Sequence, residues 1–278
     1  MPPARRAILE VRGGPLSARK AILSPGQTLR VGRSNLADLA IPNDSQMSAE
    51  HFALTWDGER CHVRDLDSAK GTWLQDVRIR EADATNGAYL RAGDTHLMVY
   101  FEAHTPPRAS APAPIDETLL ALHCFDHTEN LYAVVDASRG KRPLQLLRES
   151  VDEHRSLYDG RKGETLADVA PYLVSFRKDS RLIERLVREG WGAGWGIYLS
   201  CSRPFKEVRR HLRRFLMVED DDTGETYYLR YYDPKVLRLL VPTLTPRQRA
   251  DFFGDVDAFY AEGDRGEVCP FPREAQPS

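Results

Sequence analysis

Gly190-Trp191-Gly192-Ala193-Gly194-Trp195-Gly196, followed by Ile197-Tyr198-Leu199-Ser200 and then by Phe205–Phe215, decides how the second half of this chain folds. Upstream, Asp179 or Ser180 is placed to cap a helix whose Leu182, Ile183, Leu186 and Val187 share one face, and Gly190 stops it. Ile197–Ser200 is short, apolar and glycine-bounded, as a buried strand should be. Phe205, Val208, Leu212 and Phe215 recur at helical spacing, which predicts a second amphipathic helix. Outward from this block the alternation continues. Leu131–Asp136 reads as a buried strand, Leu144–Leu157 as helical and Ala170–Phe176 as a strand. Leu216–Glu219 and Thr226–Tyr232 read as a hairpin around Asp222-Thr223-Gly224. Thr245-Pro246-Arg247-Gln248 forms a capping box that opens a helix predicted to run to Gly263. Strands alternating with helices predict an α/β domain with a mixed sheet and flanking helices over residues 119–265, leaving 266–278 as a flexible tail.

The first hundred residues read differently. Ala7–Val11, Leu29–Val31, Phe52–Trp56, His62–Leu66 and Thr95–Phe101 are short apolar runs separated by Gly, Pro, Asn and Asp. No amphipathic helical stretch lies between them, so residues 1–103 are expected to form an all-β sandwich. Residues 104–118 alternate proline with alanine and serine, the composition of an extended linker. The chain has 278 residues, 41% hydrophobic and 29% charged, enough for two soluble domains with cores. A net charge of −2 lacks the basic excess of a general nucleic-acid binder, so no nucleic-acid partner is expected. Four scattered cysteines fit a reducing cytosol. No apolar stretch reaches the roughly 20 residues that span a bilayer, so no membrane partner and a cytoplasmic location are expected.

Within the β-rich region, Gly32-Arg33-Ser34, Ser48-Ala49-Glu50-His51, Asp67-Ser68-Ala69-Lys70-Gly71-Thr72 and Gly93-Asp94 occur in that order. The ordered set resembles the forkhead-associated (FHA) domain over roughly residues 8–102. The resemblance implies a phosphothreonine site in which Arg33 gives charge-assisted donors and Ser48 a hydroxyl. It also implies that His51 braces the loop between Gly32 and Gly71 without touching ligand. Lys70 stands where the family usually has Asn, Ala69 where a small hydroxylated residue is common, and Ala49 where a polar one is usual. Lys70 can offer charge to a phosphate but not an amide's paired donor and acceptor. Two readings stay open: a working phosphopeptide site, or a retained scaffold with another contact role.

The second region carries Leu131-Tyr132-Ala133-Val134-Val135-Asp136, Ala170-Pro171-Tyr172-Leu173-Val174, the Gly-Trp block, Ser200, His211-Leu212-Arg213-Arg214-Phe215, Arg230-Tyr231-Tyr232-Asp233-Pro234 and Phe252-Phe253-Gly254. From about Leu131 to Gly254 these resemble the effector chaperones or adaptors of type VI secretion, the Tap or TEC proteins. The resemblance implies that the chain binds the N-terminal region of a secreted effector and helps load it onto the spike protein. Some members of that family carry an FHA domain in front. On the basic helix Lys206, Arg209, Arg210, Arg213 and Arg214 lie opposite the apolar stripe, either as a ridge for an acidic partner or as an ordinary solvated face. Trp191 and Trp195 are expected to pack in the core, and of Tyr231 and Tyr232 one should face inward while the other is available. Arg209, Arg210, Arg213, Arg214 and Tyr231 are therefore the effector-binding candidates.

No catalytic constellation emerges, and neither a cofactor nor a metal is expected. His123-Cys124-Phe125-Asp126-His127 lacks a second ligand cluster for zinc. Ser200-Cys201-Ser202 has no nucleophile elbow. Glu149, Asp152 and Glu153 read as solvating a helix rather than forming an acid/base pair. The chain reads as a non-enzymatic adaptor; a phospho-regulated enzyme is the alternative, and nucleic-acid binding through Arg209–Arg214 a third reading.

Overall fold

The burial of Ala88-Tyr89-Leu90-Arg91-Ala92 alternates strictly, inward at 88, 90 and 92 and half-exposed between, which is a sheet with one dry face. A computed structural model describes residues 5–12, 16–106, 130–158, 165–219 and 224–273. The chain divides into two units, residues 1–106 with 148–151, and residues 107–147 with 152–278. The expected linker at 104–118 lies almost wholly outside the described residues, as do His123–His127 and most of the acidic run at 219–222.

The described residues of the first unit form eleven strands: β1 (Ala7–Arg12), β2 (Lys20–Leu23), β3 (Gln27–Gly32), β4 (Leu39–Ala40), β5 (Phe52–Trp56), β6 (Cys61–Asp65), β7 (Thr72–Leu74), β8 (Val77–Ile79), β9 (Glu81–Ala84), β10 (Ala88–Ala92) and β11 (Thr95–Phe101). They form two sheets, ordered β2-β1-β11-β10-β7-β8 and β4-β3-β5-β6-β9. Leu9, Val31, Phe52, Leu54, Trp56, Val63, Leu90, Leu97 and Val99 form the core. Trp56 places its indole N–H on the Arg5 carbonyl at 2.7 Å, so its ring is buried without an orphaned donor. Burial also pushes the Cys61 thiol up to about 12, keeping it neutral.

The second unit centres on a six-stranded sheet. Its strands are β12 (Asn130–Asp136), β13 (Glu153–Ser156), β14 (Pro171–Ser175), β15 (Gly196–Cys201), β18 (Val256–Glu262) and β19 (Val268–Pro272), ordered β13-β14-β12-β15-β18-β19. Helices α1 (Lys141–Arg148), α2 (Leu182–Gly190), α3 (Phe205–Arg213), α4 (Pro234–Leu240) and α5 (Pro246–Phe253) and a small ribbon, β16 (Met217–Glu219) with β17 (Thr226–Tyr228), complete it. Alternate residues of β12 belong to different cores. Tyr132 and Val134 pack with Val208, Leu212, Leu237, Phe252 and Phe253 of α3 to α5. Ala133 and Val135 pack with Leu144, Leu147, Ile183, Leu186 and Val187 of α1 and α2. A sheet covered on both faces needs unbroken apolar strands, hence Leu131-Tyr132-Ala133-Val134-Val135. A bidentate pair between Arg142 and Glu189, at 2.7 and 2.9 Å and almost fully buried, joins α1 to α2.

Several expectations are corrected here. The sheet is not mixed: every pairing in it is antiparallel. The helix expected over Leu144–Leu157 ends at Arg148; Glu149 and Asp152 are buried rather than solvating, and β13 follows. Asp152 accepts from Arg177 N at 2.8 Å and Ser180 Oγ at 2.6 Å, which ties β13 to the turn before α2. The helix expected to reach Gly263 stops at Phe253, because the chain turns at Gly254 into β18. The expected tail from 266 contains β19, an edge strand whose Pro270 and Pro272 pair opposite Tyr260 and Ala258. Arg249 of α5 donates to the Pro272 carbonyl and, at 3.0 Å, to the Arg273 carbonyl. Finally, β17 ends at Tyr228, so Tyr231 and Tyr232 lie in a turn before α4 rather than on a strand.

Candidate functional site

The first unit gathers its expected site residues on loops fastened by backbone and buried side chains. At the end of β3, Arg33 N donates to Ser48 O at 2.9 Å and Ser34 N to Ala49 O at 3.2 Å. His51 is fully buried. Its Nδ1 accepts from Ser48 N at 3.0 Å, which leaves the proton on Nε2 to be donated to Gly71 O at 3.2 Å. One neutral imidazole thus couples the Ser48 loop to the Lys70–Gly71 loop. Gly71 sits at φ +76°, a conformation that favours glycine, and a Cβ there would lie 2.3 Å from Nε of the long, exposed Arg78 side chain, which would have to move aside.

Two carboxylates that sequence reasoning passed over hold these loops. Asp65 accepts from Ser68 N at 3.0 Å, Ser68 Oγ at 2.6 Å and Thr72 Oγ1 at 2.6 Å. Burial raises its pKa, but the hydrogen bonds from Ser68 and Thr72 outweigh it and hold the carboxyl below its usual range. Asp44 accepts from Met47 N, Asp94 N and Thr95 Oγ1 at 3.1, 2.9 and 2.6 Å, which explains why Gly93-Asp94 belongs to the pattern. Asn43-Asp44-Ser45 has the composition of an ordinary turn, and nothing local in it marks Asp44 as a staple.

On this frame stand three groups suited to an anion. Arg33 and Lys70 are exposed, and neither has a carboxylate partner among the described residues. Ser48 Oγ accepts Ala69 N–H at 3.0 Å. Since a hydroxyl can donate while it accepts, Ser48 keeps its proton for an incoming oxygen. Ser34 is different: its Oγ donates to Ala49 O at 3.0 Å and accepts from Leu36 N at 3.3 Å.

In the second unit the most recognisable residues are framework. Tyr231 and Tyr232 are both buried, so the expectation that one is available fails, and Tyr231 cannot contact a partner. The Tyr231 hydroxyl donates to Leu212 O at 2.9 Å. Arg230 pairs with the buried Asp136, which also accepts from Ser138 N and Oγ at 3.0 and 2.7 Å. Asp233 caps α4 through Lys235 N at 2.9 Å, with Pro234 in the first turn. Trp195 lies across Gly190, where a Cβ would come within 2.5 Å of its ring, and Trp191 donates to Gly266 O at 2.7 Å. Both tryptophans are half-buried against the α1/α2 core.

The basic helix divides along its length. Arg209 donates to Ser156 O at 2.8 Å and Tyr158 O at 3.3 Å, and Arg213 to Leu157 O at 2.9 Å. Both therefore bind the chain after β13 rather than forming a free ridge. Arg210 and Arg214 stay exposed and line a cleft of about 350 Å³ between α3 and α5. Arg203, Glu207, His211, Asp251 and Asp255 are the other polar or charged residues that line it. Arg214 pairs with Asp251 at 3.0 Å and Arg203 with Asp255 at 2.9 Å, whereas Arg210 has no carboxylate partner among the described residues. No helix among the described residues is long and apolar enough to cross a membrane.

Residues 29–95 match the family model of the FHA domain, and residues 131–251 match that of a domain of unknown function, DUF4123. The FHA domain-containing protein FhaA of Mycobacterium tuberculosis is 29% identical over 83 residues, covering 30% of this chain and 15% of that protein. The chain thus spans about 15% of the length of that curated relative. A structure of the FhaA FHA domain complexed with the intracellular domain of Rv3910 is 28% identical, covers 34% of this chain and 98% of that one, and has a TM-score of 0.31. The FHA domain of CT664 protein from Chlamydia trachomatis is 20% identical, covers 34% of this chain and 96% of that one, and has a TM-score of 0.33. The chain carries an FHA domain toward its N-terminus and a DUF4123 domain after it.

Proposed function

We propose that this protein is a non-enzymatic cytoplasmic adaptor of the Tap or TEC kind. Its DUF4123 domain binds the N-terminal region of a type VI secretion effector and helps load it onto the spike, while its FHA domain holds a second partner bearing phosphothreonine. The observation that carries the phosphopeptide half is Ser48 Oγ, held by Ala69 N–H with its own proton available, beside Arg33 and Lys70, which have no carboxylate partner among the described residues. Charge-assisted and hydroxyl donors of this kind suit a phosphate. For the effector half, support comes from the DUF4123 match and from the cleft lined by Arg210 and Arg214. Arg209, Arg213 and Tyr231 leave the contact set because their side chains are committed inside the unit.

Two experiments test the halves separately. Titration of phosphothreonine peptides should show saturable binding that Arg33→Ala abolishes; equal binding by wild type and variant refutes the phosphate site. Co-purification with the product of a neighbouring effector gene should yield a stoichiometric complex that Arg210→Glu with Arg214→Glu weakens. Undiminished capture moves the effector contact elsewhere, and turnover by the isolated second domain would instead favour a phospho-regulated enzyme.

A further inference from the structure

The registers of the first unit place Arg12 opposite His96, His96 opposite Arg91, Arg91 opposite Trp73 and Trp73 opposite Arg78. These five residues form one row across five adjacent strands, on the face away from the core, since Val11, Leu97, Leu90, Ala92 and Thr72 alternate with them and are buried. The two ends of the row differ. Arg12 is paired with Glu10 at 3.1 Å, and His96 is stacked on Tyr89 and bonded to its hydroxyl. Arg91 lies over the Trp73 ring at 4.6 Å, and neither Arg91 nor Arg78 has a carboxylate within salt-bridge distance among the described residues. Cations on a sheet face with no carboxylate partner among the described residues are suited to an outside anion.

The row is continuous with the phosphate loop. Trp73 Nε1 donates to Lys70 O at 3.4 Å, and Arg78 lies against Gly71, whose carbonyl holds His51. We propose that the Arg78–Trp73–Arg91 row is a second subsite of the FHA face, selecting phosphopeptides whose phosphothreonine is flanked by acidic residues. This rests on the phosphothreonine reading above. Arg78 and Arg91 are two strands apart, about 10 Å, which an extended peptide spans in about three residues. An acidic patch of three or four residues beside the phosphothreonine therefore matches the row. It supplies at the ligand level the discrimination that Lys70, in place of an amide, does not supply at the phosphate. A single-stranded nucleic acid fits less well, because Arg91 already covers the Trp73 ring on which a base would stack and the chain as a whole carries a net charge of −2.

The test uses the full chain and three fluorescent phosphothreonine peptides: one neutral, one with three acidic residues before the phosphothreonine, and one with three after it. One of the acidic peptides is expected to bind about fivefold more tightly than the neutral one, an advantage that shrinks with added salt. Arg78→Glu and Arg91→Glu should each reduce that advantage, and together abolish it, while the neutral peptide keeps its wild-type affinity and so shows that the domain is folded. Equal binding of all three peptides, or an advantage that survives both reversals, overturns the second subsite and leaves the phosphothreonine site standing. So does loss of the neutral peptide's binding in both variants, which would make the row part of the primary site or of the frame. Tighter binding of an oligothymidylate that competes with the acidic peptide would reassign the row to nucleic acid. Failure of every phosphopeptide, or indifference to Arg33→Ala, removes the phosphothreonine reading and this inference with it.

Discussion

Tyr231 separates the framework reading of the second domain from an interface reading, and its two substitutions differ in size. The residue is fully buried, its ring edge-on to Tyr232 at 5.8 Å and to Phe252 at 5.7 Å, with the hydroxyl 2.9 Å from Leu212 O. Tyr231→Phe removes only the hydroxyl. The Leu212 carbonyl keeps the Arg214 N–H as a partner, so the loss is that of one ordinary hydrogen bond, about 1 kcal/mol. Tyr231→Ala opens a cavity between α3 and α5 and should cost about 4 kcal/mol, a large share of a typical domain's stability. With a urea slope of about 2 kcal/mol/M, the midpoint should fall by about 0.5 M for Tyr231→Phe and about 2 M for Tyr231→Ala. Hydrogen exchange of peptides covering residues 205–219, followed through the urea series, isolates this domain's transition. Tyr231→Phe should capture effector as wild type does. If Tyr231→Ala leaves the midpoint within about 0.3 M of wild type, or if Tyr231→Phe loses effector at unchanged stability, the framework reasoning is wrong.

Three further outcomes follow from the same geometry. Gly71→Ala, strained at positive φ and pressed on Arg78, should destabilise the first domain by about 1 kcal/mol in thermal unfolding and weaken phosphopeptide binding through the His51–Gly71 link. Asp65 is held below its usual range by hydrogen bonds in the folded state, so its stabilisation is present above about pH 4 and lost as pH falls toward the folded value. A plot of first-domain stability against pH should therefore be flatter on the acid side in Asp65→Asn than in wild type, and identical slopes would exclude Asp65 as the cause. At the alkaline end, burial raises Tyr132 and Tyr232 to about 12 and also raises Tyr198 and Tyr231. Their contribution is intact below about pH 10, where unfolded tyrosine begins to ionise, and is lost as pH climbs through the folded values. Circular dichroism should show the second domain unfolding in that window together with the rise in phenolate absorbance, whereas ionisation without unfolding would contradict the burial.

What could be read from sequence follows the physics of each element. Compact apolar runs, such as Phe52–Trp56 and Leu131–Asp136, announced themselves because burial alone makes them strands. The helix over Phe205–Arg213 was legible from its apolar stripe, and the capping box at Thr245–Gln248 is present as read. Elements whose form depends on partners far along the chain were not. Val256–Glu262 continues a good helical signal but pairs with β15, and Glu153–Ser156 has no apolar run until β14 lies beside it. The site shows the same division. Arg33, Ser48 and Lys70 were visible through local spacing, whereas Asp44 and Asp65 act through contacts set by loop geometry. Charge opposite an apolar stripe could not distinguish Arg209 and Arg213, bound to carbonyls after β13, from Arg210 and Arg214, which face the cleft.

The same arginines have a consequence at the sheet's borders. At one border, Arg209 and Arg213 take the carbonyls of Ser156 and Leu157 at the end of β13. At the other, Pro270 and Pro272 remove two of the donors that β19 would offer outward, and Arg249 takes the carbonyls at its end. A sheet so finished resists edge-to-edge pairing with its own copies. It also leaves a visiting extended segment fewer main-chain groups for the ladder used in β-augmentation. On the proposed adaptor reading, a stretch of effector would then be recognised mainly through its side chains, with the helical surfaces and the cleft between α3 and α5 as the places to test.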